Sequence, residues 1–127
     1  MSIVSDAYSA ITNSELMSSY VSSDNVRAFN LPQELIDKTK ETVMLITATG
    51  YKRGGFAGDY STKKLETCQI QVWYAPDADM DGLTTTLIHL MEQNHIFSRQ
   101  GPGQDVDPDT LQVFDTFPFW REKKEII

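Results

Sequence analysis

The sequence predicts an α+β fold in which a small, mostly antiparallel sheet carries an N-terminal helix and a second amphipathic helix. Two β-prone runs, 42–49 and 65–74, lie on either side of one glycine-rich segment, and the second alternates apolar with polar residues. A period near 3.6 residues follows at 80–91, as in an amphipathic helix. Because 127 residues suffice for one hydrophobic core, we expect a single domain over residues 1–127.

The N-terminal helix is predicted by apolar residues at helical spacing. These residues are Val4, Ala7, Tyr8 and Ile11. Ser2 or Ser5 can cap the helix, and the pattern stops near Thr12. The serine-rich segment 15–30 has neither a helical nor a strand period, so no element is predicted there.

The two central strands are expected to pair as a hairpin. The first is a continuous β-prone run that ends at Gly50, and the second places Cys68, Ile70 and Val72 on one apolar face. Segment 50–60 between them contains four of the seven glycines, so we predict a loop there.

The second helix is predicted after Pro76 by a stripe of apolar residues. The stripe consists of Met80, Leu83, Leu87, Leu90 and Met91. Glycine, proline and aspartate at 101–103 and 107–109 then predict a long turn.

A last strand is predicted from an apolar face shared by Leu111, Val113, Phe117 and Phe119. Asp115 is expected to interrupt the register of this strand. Pro118 has no N–H to donate, so that side of the strand should face an edge or a bulge.

Composition excludes several classes of protein. The formal net charge of −7 argues against a surface built for nucleic acid, because such a surface attracts phosphate with positive charge. Cys68 is the only cysteine, so no intrachain disulfide can form, which suits a reducing compartment. The longest aliphatic run, 43–46, is far too short for a membrane span. We therefore expect a soluble, intracellularly made protein with no membrane partner.

An acidic segment resembles the first half of an EF-hand calcium loop. Asp77, Asp79 and Asp81 take positions 1, 3 and 5, and Gly82 takes position 6. Position 12 is Ile88, which cannot supply the bidentate carboxylate. We predict that Asp79 or Asp81 caps the helix instead, and a calcium-binding module remains a remote alternative.

A cysteine hydrolase is the other remote alternative, because Cys68 could be partnered by His89 or His95. Cys68 is expected in the middle of a strand on its apolar face, where a thiol is usually inert. The two histidines are six residues apart, which does not fit a zinc helix. The glycines of 50–58 match no nucleotide-binding motif. We therefore predict no catalytic residue, no metal and no cofactor.

Two segments are candidates for contacts with other subunits. The aromatic and basic residues of the glycine-rich segment suggest an arm that clasps a neighbour, while a disordered hairpin tip is an equal alternative. The mixed-charge segment 120–127 is either a docking segment or a solvated strand end. The tentative interface residues are Tyr51, Lys52, Arg53, Phe56, Tyr60, Arg121, Lys123 and Lys124.

The order of several short blocks resembles a family of small tail proteins from long-tailed, non-contractile phages and prophages of Gram-positive bacteria. The blocks are LPQE at 31–34, IQVWY at 70–74, LIHLMEQNH at 87–95, DPDT at 107–110 and TFPFWREKKEI at 116–126. The resemblance covers residues 28–126, and the family is similar to tail terminators, which are also called tail completion or tail-to-head joining proteins.

The resemblance implies a structural virion protein of the tail and neck, assembled in the host cytoplasm. It implies a ring of six copies that caps the tail tube, ends tail polymerisation and joins the tail to the head connector. Its partners would be other copies of itself, the major tail tube protein and the head–tail connector, and no catalytic residue comes with it. A connector or completion protein on the head side of the neck is the alternative. Pro118 and the glycine-rich segment 50–58 depart from the expected family pattern.

Overall fold

One five-stranded sheet organises the computed structural model, which describes residues 2–57, 60–98 and 103–124. The helices are α1 (Ile3–Thr12), α2 (Glu15–Ser18), α3 (Gln33–Ile36) and α4 (Met80–Gln93). The strands are β1 (Val26–Ala28), β2 (Val43–Ala57), β3 (Tyr60–Trp73), β4 (Gly103–Val106) and β5 (Val113–Lys124). The strand order is β1-β2-β3-β5-β4, and only β1 pairs in parallel with its neighbour β2. The predicted α+β class with a mostly antiparallel sheet is confirmed.

The core lies between one face of the sheet and the helices α1 and α4. The sheet contributes Ile46, Ile70 and Phe117, none of which has exposed surface. The two helices bury their apolar stripes in the same cluster. The buried helical residues are Ile3, Val4, Ala7 and Ile11 in α1 and Leu83, Leu87 and Met91 in α4. Removal of this apolar surface from water is the main force that holds the two helices on the sheet.

Several predictions from periodicity are confirmed. Helix α1 ends at Thr12 and is capped by Ser2, whose hydroxyl accepts a hydrogen bond from the Ser5 N–H at 3.1 Å. The apolar face of the second predicted strand is also buried, with Cys68 at 1% exposure. Both patterns could be recognised in the sequence because side chains return to the same face of a helix or strand at a fixed spacing, so the buried residues recur at that spacing.

The predicted loop at 50–60 is wrong for most of its length, because β2 continues through Gly50 to Ala57 and β3 begins at Tyr60. A bulge between Ala48 and Gly50 shifts the register, and Gly50 adopts a φ of 143°, which favours glycine. The Thr67 hydroxyl bridges the bulge by accepting from Thr49 at 2.9 Å and donating to the Gly50 carbonyl at 3.1 Å. Pairing along a complete partner strand thus outweighs the poor strand propensity of the glycines.

Short elements occur where no element was predicted. Segment 15–30 contains α2 and β1, and β4 occupies part of the predicted turn before β5. The three residues of β1 form a strand only because the edge of β2 offers them partners at Met44 to Ile46. Elements this short carry too few residues to display a period.

The last strand differs from its prediction at two residues. Leu111 lies before β5, has a φ of 60° and is 78% exposed, so it does not share the buried face. Asp115 does not interrupt the strand, because it is 2% exposed, lies opposite Val72 and accepts a hydrogen bond from the Tyr74 hydroxyl at 2.5 Å. A tyrosine from the neighbouring element makes the buried carboxylate tolerable, and the sequence of one strand cannot reveal such a partner.

The prediction for Pro118 is confirmed. Trp120 exchanges both backbone hydrogen bonds with Phe97, on the edge of β5 that faces away from β3. Backbone groups two residues apart point to the same side of a strand, so the nitrogen of Pro118 faces that outer edge as well. The last described pair of β4 with β5 is Gly103 with Thr116, so Pro118 removes no donor from a ladder.

Candidate interaction surface

The β2–β3 hairpin extends well beyond the end of β1. On one side, β1 ends at Ala28, which lies opposite Ile46. On the other side, β5 is described as far as Lys124, which lies opposite Lys63. We call the outer part of this hairpin, residues 50–57 and 60–65, the arm. Its backbone pairs continue to Ala57 opposite Tyr60.

The arm contains five of the predicted interface residues in strand positions. Tyr51 lies opposite Glu66, Lys52 opposite Leu65 and Arg53 opposite Lys64, while Phe56 and Tyr60 lie near the tip. The structure therefore brings these residues together on one hairpin with a fixed register. The prediction that they contact another subunit remains a prediction.

The predicted residues of the C-terminal segment take different positions. Arg121 is only 13% exposed, and its guanidinium contacts a Glu66 carboxylate oxygen at 3.2 Å and the Asp6 carboxylate. The other Glu66 oxygen accepts the Ile3 N–H at 3.0 Å. Arg121 thus joins β5, β3 and α1 at the base of the arm, whereas Lys123 is exposed. Residues 125–127 of the predicted tail lie outside the described residues.

A shallow apolar groove lies at the base of the arm, on the sheet face opposite α1 and α4. Its volume is about 370 Å³, and its lining includes Leu65, Pro118 and Trp120. The Trp120 ring also packs against Phe97, with ring centroids 5.6 Å apart. Leu65 belongs to both the arm and this groove, so the two adjoin.

A second groove at the opposite end of the sheet was missed by the sequence analysis. It lies between the start of α4 and the start of β5, and its volume is about 350 Å³. Its lining includes Pro76, Met80 and Leu111, which are far apart in the sequence. Only the exposed proline and the acidic residues around it could have suggested a surface feature here.

The Cys68 thiol lies on the buried face of β3 and is 1% exposed. Burial raises the pKa of this thiol to about 12, with smaller opposing effects of Arg121, which lowers it, and Glu66, which raises it. His89 is exposed on α4. The arrangement offers neither a thiolate nor access for a substrate, so it does not favour the hydrolase alternative.

We expect the native protein at neutral pH to react with a thiol reagent only at the rate of its unfolding, and the urea-unfolded chain to react at once. The free energy of unfolding should also fall as the pH rises from about 9, because the thiol ionises in the unfolded chain but stays protonated when folded. Unfolding curves of the wild type and of Cys68→Ala at several alkaline pH values test this. The free energy of unfolding should fall less steeply with pH in the variant than in the wild type. Rapid labelling of the native thiol would contradict the prediction.

Asp79 caps α4, as predicted, and accepts a hydrogen bond from the Gly82 N–H at 3.1 Å. The approach is close, since a Cβ on Gly82 would lie 2.3 Å from the second Asp79 oxygen. Asp77 and Asp81 are exposed beside it. Within the part of the chain that the structure describes, no three His, Cys, Asp or Glu side chains are grouped to hold a metal ion.

Asp79→Ala is expected to destabilise the protein by about 1 kcal/mol through loss of the cap. Asp77→Ala is the matched control, because it removes a neighbouring carboxylate that makes no cap, and it should change stability by less. Thermal unfolding in calcium and in chelator should give the same difference between the variants. A melting temperature of the wild type that rises with calcium would contradict this prediction and restore the calcium-binding alternative.

The fold and these surfaces define a single-sheet α+β protein with a projecting hairpin arm. The chain belongs to the family described as "Protein of unknown function (DUF806)", whose model matches residues 9–124. No curated protein sequence matches the chain. Among the described residues, no helix is long and apolar enough to cross a membrane.

Proposed function

We propose that the chain is a structural protein of a phage tail that assembles into a ring, caps the tail tube and joins the tail to the head connector. The observation that carries the proposal is the arm, the part of the β2–β3 hairpin that continues past the end of β1 and past the described end of β5. A closed ring needs a heterologous interface, in which one surface of a subunit fits a different surface of the next. An arm at one end of the sheet supplies such a surface.

Two further considerations support a structural role. The similarity of residues 28–126 to small phage tail proteins supplies the kind of assembly in which such a ring acts. The thiol of Cys68 is buried and protonated and Asp79 caps α4, so each of these two residues has a structural role. In this proposal, contacts between the six subunits hold the ring together at the end of the tube.

An early stop codon in the gene of the phage or prophage that encodes the chain tests the proposal. Electron microscopy of lysates should reveal overlong tails without heads, because nothing ends tube polymerisation. A plasmid copy of the wild-type gene is the control and should restore normal particles. Tails of normal length beside separate filled heads would place the protein on the head side of the neck, and normal particles would contradict both roles.

The role of the arm can be tested with a shortened hairpin. Replacing residues 54–63 by Asn-Gly joins Arg53 to Lys64, which are already opposite each other, through a tight turn. The variant should keep most of its thermal stability, because the tight turn preserves the register of the remaining hairpin, but its gene should fail to complement the stop codon. Full complementation by this variant would exclude the arm from ring assembly.

A further inference from the structure

Basic residues are concentrated at the arm. Six of the eleven basic residues of the chain lie in the arm or at the adjacent end of β5. They are Lys52, Arg53, Lys63, Lys64, Lys123 and Lys124. Glu122 is the one acidic residue within these segments and pairs with Lys63 at 3.3 Å. Asp59 and Glu125 lie outside the described residues. With these two acidic residues included, this part of the sequence has six basic and three acidic residues. The acidic chain thus has one basic end.

The groove at the opposite end of the sheet has a partly apolar, partly polar lining, and exposed carboxylates lie next to its lining residues along the chain. Its apolar lining comes from Pro76, Ala78, Met80, Leu111 and Val113, and Lys40 is a basic residue in the lining. Asp77 and Asp79 alternate with the lining residues along the chain, and Asp109 lies two residues before Leu111. All three carboxylates belong to exposed residues. We call this feature the acidic groove.

Leu111 gives the acidic groove an exposed apolar side. It adopts a φ of 60°, a conformation that leucine rarely takes, and it is 78% exposed. The hydrogen bond from its N–H to the Asp107 carbonyl, at 2.8 Å, holds it there. Asp107 in turn accepts from the Asp109 N–H and from the Trp73 indole, which lower the pKa of its carboxyl. A rigid turn therefore presents a large apolar side chain to solvent, as expected of a contact residue.

We propose that the acidic groove receives the arm of a second copy of the chain. The arm carries what the groove lacks, because it combines basic residues with the aromatic residues Tyr51, Phe56 and Tyr60. Aromatic residues fill apolar pockets, and a charged rim that matches the partner sets its orientation. This inference rests on the proposed ring, for which it identifies the two surfaces of the subunit interface.

A subunit cannot fill its own groove with its own arm. Strand β2 begins at Val43, near the groove, and ends at Ala57 in the arm, a span of about 45 Å for an extended strand. Arm and groove therefore lie at opposite ends of the molecule. Contacts between them join the chains head to tail, which is the arrangement that closes into a ring.

Charge reversal on each side of the interface tests the proposal. The arm variant is Lys52→Glu/Arg53→Glu, and the groove variant is Asp77→Lys/Asp109→Lys, which spares the capping Asp79 and the hydrogen-bonded Asp107. The control is Glu15→Lys/Glu92→Lys, which makes the same change in net charge as the groove variant at exposed residues outside the groove lining. Sedimentation measures association at about 50 mM and about 500 mM salt, and thermal melting checks that each variant folds.

The wild type and the control should associate at low salt and dissociate as salt increases. Each charge-reversed variant should remain monomeric alone, because both of its surfaces then have the same sign. An equal mixture of the two should associate again, since the reversed arm fits the reversed groove and the unmodified arm fits the unmodified groove. A ring with an even number of subunits can close from this alternating mixture.

Three results would overturn the proposal. They are a wild type that stays monomeric at low salt at its highest attainable concentration, a groove variant that associates like the wild type, and a mixture that does not associate. An arm variant that loses DNA binding while its association is unchanged would identify nucleic acid as the partner of the arm instead. Tail length measures the capping role separately. A groove variant that still caps tubes would contradict the proposed interface but not the capping function.

Discussion

Replacing Arg121 by leucine is expected to lower the free energy of unfolding by about 3–5 kcal/mol. Arg121 and Glu66 are 13% and 7% exposed, so the substitution leaves a buried carboxylate without its cation. The same change releases Asp6 and with it one of the contacts that join α1 to the base of the arm. The loss is a large fraction of the stability of a domain of this size, which is about 5–15 kcal/mol. Chemical denaturation measures this loss when the same dependence of the free energy of unfolding on denaturant concentration is used for all variants.

Two variants give this prediction its controls. Arg121→Leu/Glu66→Gln should recover much of the loss, because the amide removes the buried charge and still accepts the Ile3 N–H. Lys63→Ala breaks the exposed pair with Glu122, whose side chains are about half exposed, and should cost no more than about 0.5 kcal/mol. Hydrogen exchange should speed up in α1 for Arg121→Leu alone. Equal effects of Arg121→Leu and Lys63→Ala would contradict the structural role of the buried network.

Replacing Tyr74 by phenylalanine is expected to cost about 2–3 kcal/mol. The ring remains in its buried position, but the Asp115 carboxylate loses its hydrogen-bond donor. Asp115 is 2% exposed, and its second oxygen has no hydrogen-bond partner in the part of the chain that the structure describes. Burial, with the neighbouring Asp115, raises the pKa of the Tyr74 hydroxyl, so the hydroxyl stays a donor throughout the neutral range.

The double variant Tyr74→Phe/Asp115→Leu separates the hydrogen bond from packing. Removing both polar partners should restore much of the stability, because neither a donor nor a carboxylate is then buried alone. Unfolding curves of the wild type, of the single variants Tyr74→Phe and Asp115→Leu and of the double variant give the coupling energy between Tyr74 and Asp115. A double variant less stable than Tyr74→Phe would contradict this account of Asp115.

Sequence patterns predicted the elements with repeating apolar residues and missed those that depend on a distant partner strand. Helix α1, helix α4 and the buried face of β3 were predicted correctly, because each repeats its apolar residues over several turns or pleats. The arm was mistaken for a loop, because glycine is a poor strand former and only the complete register from Gly50 to Ala57 compensates for it. The five candidate interface residues of the arm were nevertheless chosen from this segment, because a cluster of aromatic and basic residues among glycines can be recognised from the sequence alone.

The sequence by itself determined the fold class and narrowed the cap on α4 to Asp79 or Asp81, because these depend on residue types and on periods that lie within one element. Tertiary structure alone decided the role of Arg121, the partner of Asp115 and the existence of the acidic groove. In each case residues more than thirty positions apart meet, as Arg121 meets Glu66 and Tyr74 meets Asp115. Hydrogen bonds, ion pairs and grooves of this kind arise from the positions of paired strands in space, and no local pattern records those positions.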